Sequence, residues 1–356
     1  MNHSQKIALE VARQEHDRLC REHPLEQLFW ECTLRCNLSC RHCGSDCAKD
    51  INASEMPLRD FLNVLDEIAC HQDPSTIMVS TVGGEPLVRE DIVDCGREIK
   101  RRGFQWGLVT NGFLLDEKMM HNLVDAGIDS MAIDLDGTKQ DHNWLRCNLQ
   151  SYDRAMRAIG LMRQVEGLEW DVITCVNSRN IGHLDDIKKQ LIDAGVRYWR
   201  IFTIVPMGRA AGVDELQISD SQFRDLLNFI VKTRIDKDID LNYSCEGFLG
   251  AYEGLARDYF FSCEAGLTVA SVRSDGAISG CLSIRSDYNQ GNIYDDSFWR
   301  VWNERFEKYR NREWMRHGVC EHCDMFRYCQ GNAFHLRDSN GDLMLCHYRR
   351  LKNVKL

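Results

Sequence analysis

Between residues 28 and 210 the chain repeats one pattern: a short apolar run, a polar or glycine-rich loop, then a helix-like stretch. The apolar runs fall at 28–30, 77–79, 108–109, 131–135, 172–176 and 199–205. Between them apolar residues return every three or four positions, as in Leu58, Phe61, Leu65 and Ile68 behind a candidate cap at Ser54. Further helices are expected over 5–22, 89–102, 151–165, 183–194 and 219–235, with another ending at Gly127; Gly195 supplies a C-terminal stop. Six strands alternating with helices imply a parallel sheet with crossover helices. Every distinctive loop follows a strand, which in α/β barrels is the face where catalytic loops collect.

The first of these loops holds Cys36, Cys40 and Cys43, spaced by three and then two residues. Three thiolates can hold three irons of a [4Fe–4S] cube and leave the fourth open to an outside ligand. Cys32 and Cys47 lie close by and leave a second possibility, a closed four-ligand iron–sulfur or zinc site.

CX3CX2C together with this strand–loop–helix pattern resembles the radical SAM superfamily over residues 28–237. The resemblance implies an α/β fold, a partial (β/α)6 TIM-like barrel, whose open iron is chelated by S-adenosylmethionine. By the same resemblance Gly83, Gly84, Glu85 and Pro86 bind the SAM amino group. This suits the chemistry, since glycines permit close backbone approach and a carboxylate pairs with an ammonium. Later strand ends would reach the rest of SAM through Thr110, Asn111, Asp134 or Asp136, Asn177 and the 206–210 loop containing Met207. Asp134 or Asp136 reads equally well as a cap or turn residue. His42 fits packing against adenine or a surface position.

Seven cysteines lie beyond residue 241: Cys245, Cys263, Cys281, Cys320, Cys323, Cys329 and Cys346. Their spacing, with Gly276 between Cys263 and Cys281, resembles the SPASM extension of peptide- and protein-modifying radical SAM enzymes. That implies a complete auxiliary [4Fe–4S] cluster on Cys320, Cys323, Cys329 and Cys346; tetrahedral zinc is the other reading. A second auxiliary cluster would use Cys263, Cys281 and Cys245. Here the chain departs from the pattern: Ala333 stands where a further cysteine is usual. That cluster then has an open iron, is completed by another residue such as His335, or is absent. The expected organisation is an N-terminal helix (1–27), the partial barrel (28–237) and a cysteine-rich SPASM extension (238–356).

Composition narrows the function further. A net charge of −10 argues against a nucleic-acid partner. No run of about 18 apolar residues is present, so no membrane span is expected. Seventeen cysteines behind a polar N-terminus point to reduced thiols, metal and a cytoplasmic location. The resemblance implies one radical SAM cluster, one or two auxiliary clusters, and an external electron donor of the flavodoxin or ferredoxin type. The expected reaction is reductive cleavage of SAM and modification of a peptide or protein side chain by crosslink, thioether formation or oxidation. Two alternatives stand beside it, a sulfatase-maturing enzyme that forms formylglycine and a non-catalytic iron–sulfur electron carrier or redox sensor.

Overall fold

The computed structural model describes residues 3–50 and 55–353, so the Ser54 cap falls outside the described residues. After α1 (His3–Glu22) come β1 (Gln27–Thr33), α2 (Leu58–Ala69), β2 (Met78–Gly83), α3 (Ile92–Arg101), β3 (Gln105–Thr110), α4 (Glu117–Asp125) and β4 (Ser130–Asp134). The chain continues with α5 (Lys139–Arg146), α6 (Ser151–Met162), β5 (Glu169–Val176), α7 (Leu184–Asp193), β6 (Tyr198–Thr203) and α8 (Asp220–Asp236). All six expected strands are present, and β1 to β6 pair in parallel in sequence order.

Two features go beyond the expectation. A seventh strand, β7 (Asp240–Tyr243), pairs in parallel with β6 just past residue 237. At the other side β8 (Val269–Val272) pairs in parallel with β1, and β9 (Ala277–Ser279) and β10 (Gly291–Asn292) follow it antiparallel. One ten-stranded sheet therefore runs β10-β9-β8-β1-β2-β3-β4-β5-β6-β7. The cysteine-rich segment supplies strands to both of its ends. Beyond β10 the chain is mostly short turns and helices, including α9 (Phe298–Glu304) and the final His347–Asn353.

Helix starts follow local side-chain chemistry. Ser219 accepts from the Gln222 N–H while the Gln222 side chain accepts from the Ser219 N–H, a reciprocal capping box for α8. Thr138 caps α5 by accepting from the Asp141 N–H. That helix escaped the periodicity reading because it has only eight residues, with Trp144 and Leu145 as its large apolar side chains.

The inner strands β2 and β4 are buried on both faces through their middles, whereas β6 shows a two-residue burial period. In β6, Trp199, Ile201 and Thr203 are buried while Tyr198, Arg200 and Phe202 are less so. The fully buried tryptophans lock helices to the sheet. Trp30 stacks on Phe61 of α2 at 4.1 Å and 4°. Trp106 lies where a Cβ on Gly96 of α3 would come within 2.1 Å of its ring. The indole N–H groups of Trp106 and Trp199 donate to Thr81 and Thr174, whereas that of Trp30 has no partner. Trp30→Ala is accordingly expected to cost about 3–5 kcal/mol of unfolding free energy, the usual range for a buried aromatic. Trp30→Phe should cost clearly less, since no hydrogen bond is lost; chemical denaturation of the three proteins compares them.

Candidate metal and cofactor sites

The β2 end is docked on the chain that leads into the cysteine loop. The Gly84 and Glu85 N–H groups donate to the carbonyls of Thr33 (2.8 Å) and Arg35 (2.9 Å). A Cβ on Gly83 would sit 2.1 Å from the Thr33 oxygen, and one on Gly84 2.1 Å from the Arg35 oxygen. These glycines are required by backbone packed on backbone, a demand that stands beside any approach to a ligand.

Glu85, too, is engaged by the protein itself. Its carboxylate is buried and accepts from Thr110 Oγ1 (2.7 Å) and from the N–H groups of Asn111 (2.8 Å) and Leu87 (3.1 Å). The Leu87 bond caps the short turn opened by Pro86. Burial pushes the carboxyl up to about 7 despite these donors. Glu85 thus ties the β2 loop to the β3 loop, and an ammonium would have to share it with three protein donors. Asn111 carries the link onward, its Nδ2 donating to Asn37 Oδ1 (2.9 Å) and lying 3.9 Å from Cys36 Sγ.

The loop after β6 fastens the cysteine segment from the other side. Arg209 donates from Nε to the Cys40 carbonyl (2.7 Å), from Nη1 to that of Cys47 (2.9 Å) and from its backbone N–H to that of Cys43 (3.0 Å). Gly208, at φ +53°, passes so close that a Cβ would stand 2.5 Å from the Cys43 oxygen. Met207, expected among SAM contacts, lies against Gly44. Asn177 is buried; its side-chain oxygen accepts from the Arg179 and Asn180 N–H groups, giving it a local turn-capping role.

Cys36, Cys40 and Cys47 are buried together with Leu38, and Cys43 packs beside them. Cys32, by contrast, sits in the main core with Trp30 and is no candidate for a fourth ligand. Burial pushes the thiols of Cys36 and Cys40 up to about 11 and about 12. Cys43 goes the other way, down to about 5, chiefly because the Cys47 thiol donates to it, with Arg209 adding positive charge. Cys47 is correspondingly held protonated, first by that bond and then by burial.

Behind the loop lies a group largely invisible in the sequence. Arg146, at the end of α5 and 5% exposed, donates from Nε to Asp136 (2.6 Å), pairs through Nη1 with Asp134 (3.1 Å), and places Nη1 3.8 Å from Cys40 Sγ. Its Nη2 is buried without a partner. Asp136 is fully buried; burial pushes it up, but Arg146 and then His42 and His142 hold it down at about 2. Asp134, half-buried, is raised by burial against the pull of Arg146. The Asp136 N–H donates to His142 Nδ1 (3.0 Å), which leaves Nε2 to donate to Ser151 Oγ (3.0 Å) in the neutral ring. Burial lowers His142 to about 4 and His42 to about 3. His42 is not a surface imidazole: its donor atom lies within 4.8 Å of those of Asp136 and Cys175.

In the C-terminal segment Cys320, Cys323, Cys329 and Cys346 line one cavity together with Phe248, Phe326 and Leu343. A single zinc with bonds of about 2.3 Å would hold four sulfurs within about 4 Å of one another. Among the described residues only His42, Asp136 and Cys175 form a group of three donors within 4.8 Å, so the four thiols surround a wider space than one zinc needs. The donor set and the cavity fit an iron–sulfur cube. Cys245, Cys263 and Cys281 form a second group; burial pushes Cys281 up to about 12, and the other two thiols add to that. Ala333 is fully buried. His335 is lowered to about 4 by burial, and its electrostatic neighbours are Glu246 and His347 rather than the three thiols.

Comparison with known proteins places this geometry. The radical SAM superfamily matches residues 30–191, and the SPASM iron–sulfur cluster-binding domain matches residues 263–324. The AdoMet-dependent heme synthase of Nitratidesulfovibrio vulgaris is 25% identical over 344 residues, covering 90% of this chain and 92% of that protein. The mycofactocin maturase MftC of Mycolicibacterium smegmatis is 28% identical over 313 residues, covering 86% and 77%. The fold is shared with Streptococcus suis SuiB bound to S-adenosylmethionine (TM-score 0.70, 16% identity, 90% and 77% covered). It is shared too with anSMEcpe with bound AdoMet (0.72, 21%, 92% and 94%). The chain carries a radical SAM domain followed by a SPASM domain. Its cofactors are [4Fe–4S] clusters and S-adenosylmethionine. The matched SPASM segment ends at residue 324, so the structure alone brings Cys329 and Cys346 to Cys320 and Cys323.

The unequal thiols give a measurable consequence. In cluster-free protein at pH 7, Cys43 should be a thiolate while Cys36 and Cys40 stay protonated. Iodoacetamide is expected to modify Cys43 first, with its rate holding as pH falls towards 5. Cys47→Ala removes the donor and should slow Cys43 labelling at pH 6 several-fold; peptide mass spectrometry reads each site.

Proposed function

We propose that this enzyme reductively cleaves SAM and uses the resulting radical to modify a side chain of a peptide or protein. The observation that carries it is the convergence of the loops after β2, β3 and β6 on one buried three-cysteine segment, with a separate four-cysteine cavity in the extension. In this reading Cys36, Cys40 and Cys43 hold the radical SAM cluster. When bound, cluster and SAM supply a 5′-deoxyadenosyl radical able to take hydrogen from an unactivated carbon. The protein fixes the segment through Arg209, Asn111 and the Gly83–Gly84 docking. The partnerless Nη2 of Arg146 suits the carboxylate of SAM's methionyl part. Asp134, the less buried of the two aspartates, is the group best placed to accept from a hydroxyl or ammonium. Cys320, Cys323, Cys329 and Cys346 hold an auxiliary cluster, and Cys245, Cys263 and Cys281 hold another with three thiolates. A flavodoxin- or ferredoxin-type donor in a reducing cytoplasm supplies the electron.

The peptide reading draws support from MftC among the relatives and from the shared fold of SuiB, seen with its precursor peptide SuiA. A second reading, a heme-type macrocycle as substrate, is favoured by the heme synthases that match 85–90% of this chain. No helix among the described residues is long and apolar enough to cross a membrane.

The test is 5′-deoxyadenosine release from anaerobically loaded protein with SAM and a strong reductant. Wild type should release it, and the Cys36→Ala/Cys40→Ala/Cys43→Ala variant should not. About twelve irons per chain are expected for three cubes, and about eight if the three-thiol auxiliary group holds none. Stimulation by candidate peptides but not by iron porphyrins supports the peptide reading, and the reverse supports the second. Product absent from the wild type, with SAM unbound to a reducible cluster, would overturn both in favour of an electron carrier.

A further inference from the structure

Behind Cys320, one of the four cysteines, stands a buried cation that the reaction does not otherwise require. Arg337 is 1% exposed. Its Nε donates to the Gly331 carbonyl (2.9 Å), Nη1 to that of Gly341, and Nη2 to that of Met315 (3.4 Å) and to Cys320 Sγ (3.3 Å). Its acceptors are thus three neutral carbonyls and one sulfur. A guanidinium removed from water without an anion is strongly unfavourable, so a side chain held this way calls for negative charge beside it. A [4Fe–4S] core of charge about +2 on four thiolates carries about −2, and about −3 after one-electron reduction.

Arg146 offers an internal contrast. It also approaches a cluster cysteine, Cys40, but is already neutralised by Asp134 and Asp136. The cation at the auxiliary site is unopposed, whereas the one at the radical SAM site is matched by two carboxylates. Hydrogen bonds and charge at a ligating sulfur are among the main means by which proteins move cluster potentials. We propose that Arg337 is the resident counter-ion of the Cys320/Cys323/Cys329/Cys346 centre, a positioning residue that raises that centre's reduction potential through Cys320. This rests on the assignment of an iron–sulfur cluster to those four cysteines. Its consequence is directional: the auxiliary centre is poised to receive an electron, and the radical SAM centre to give one.

The experiment is an EPR-monitored redox titration of anaerobically loaded full-length protein, as wild type, Arg337→Gln and Arg337→Lys. Each is also made in the Cys36→Ala/Cys40→Ala/Cys43→Ala background to isolate the auxiliary signals. Arg337→Gln should lower the midpoint of the four-cysteine centre, with at least a tenfold fall in the reduced-to-oxidised ratio at fixed potential, or about 59 mV for one electron. Arg337→Lys keeps the charge but not the fork and should recover most of the shift. The radical SAM midpoint should not move in either variant. An unmoved auxiliary midpoint in Arg337→Gln overturns the inference. So do equal shifts at both centres, or loss of about four irons from both variants, which mark a purely structural residue. If the wild-type signal attributed to this centre persists in Cys320→Ala, or iron there is replaced by redox-silent zinc, the cluster assignment itself has failed and the inference falls with it.

Discussion

The close approach of the β2 end to the chain leaving β1 is the contact on which the site depends. Gly83 and Gly84 let the strand run on past Thr33 as backbone against backbone, and this sets where the cysteine segment departs from the barrel. Any side chain at either position would push the two apart by more than an ångström, because the atoms it would meet are carbonyl oxygens and not movable side chains. Glu85 follows at once and fixes the neighbouring β3 loop, so three strand ends share one rigid connection. Arg209 closes the arrangement from β6. A loop of small and polar residues with little core of its own is thus held at both ends by the sheet.

Buried charge is the second organising element. Asp136, Arg146 and Asp134 form a triad whose members are largely withdrawn from water, and such groups are tolerated only when each finds partners. Asp136 finds them on every side: Arg146, the Cys175 N–H on one oxygen, and two neutral imidazoles nearby. Neutral histidines there are what burial next to a guanidinium demands, since a second cation would be repelled. The electrostatics of the pocket are therefore settled largely by protein groups before any cofactor arrives.

Much of this was legible in the sequence. The alternation of apolar runs and helices gave the parallel sheet, because strands covered on both faces read as short continuous apolar runs. The cysteine spacing marked the loop, and the position of Gly83-Gly84-Glu85-Pro86 after the second strand marked its neighbour. The packing of that motif on the β1 end was not legible, since glycines that meet a carbonyl and glycines that meet a ligand read alike. Arg146 and His142 were missed because α5 is eight residues of mostly polar composition, without the repeating apolar stripe that identifies a helix. Arg209 and Arg337 were passed over for another reason. Their partners are backbone carbonyls and, for Arg337, one sulfur, and no spacing rule encodes such contacts. The strands β8 to β10 are two to four residues long, below the length at which alternation can be recognised.

The placement of β7 and β8 has a bearing on how this chain came to be assembled. Here the segment that follows the sixth strand returns to flank the sheet on both sides, with β7 beside β6 and β8 beside β1. Cutting after residue 237 would strip hydrogen-bonding neighbours from both outer barrel strands and leave two open ladders of unpaired amides and carbonyls, the kind of edge that invites intermolecular pairing. The segment after residue 237 is thus also the selvedge of the sheet, and removing it would take the partners of β1 and β6 along with the auxiliary cysteines.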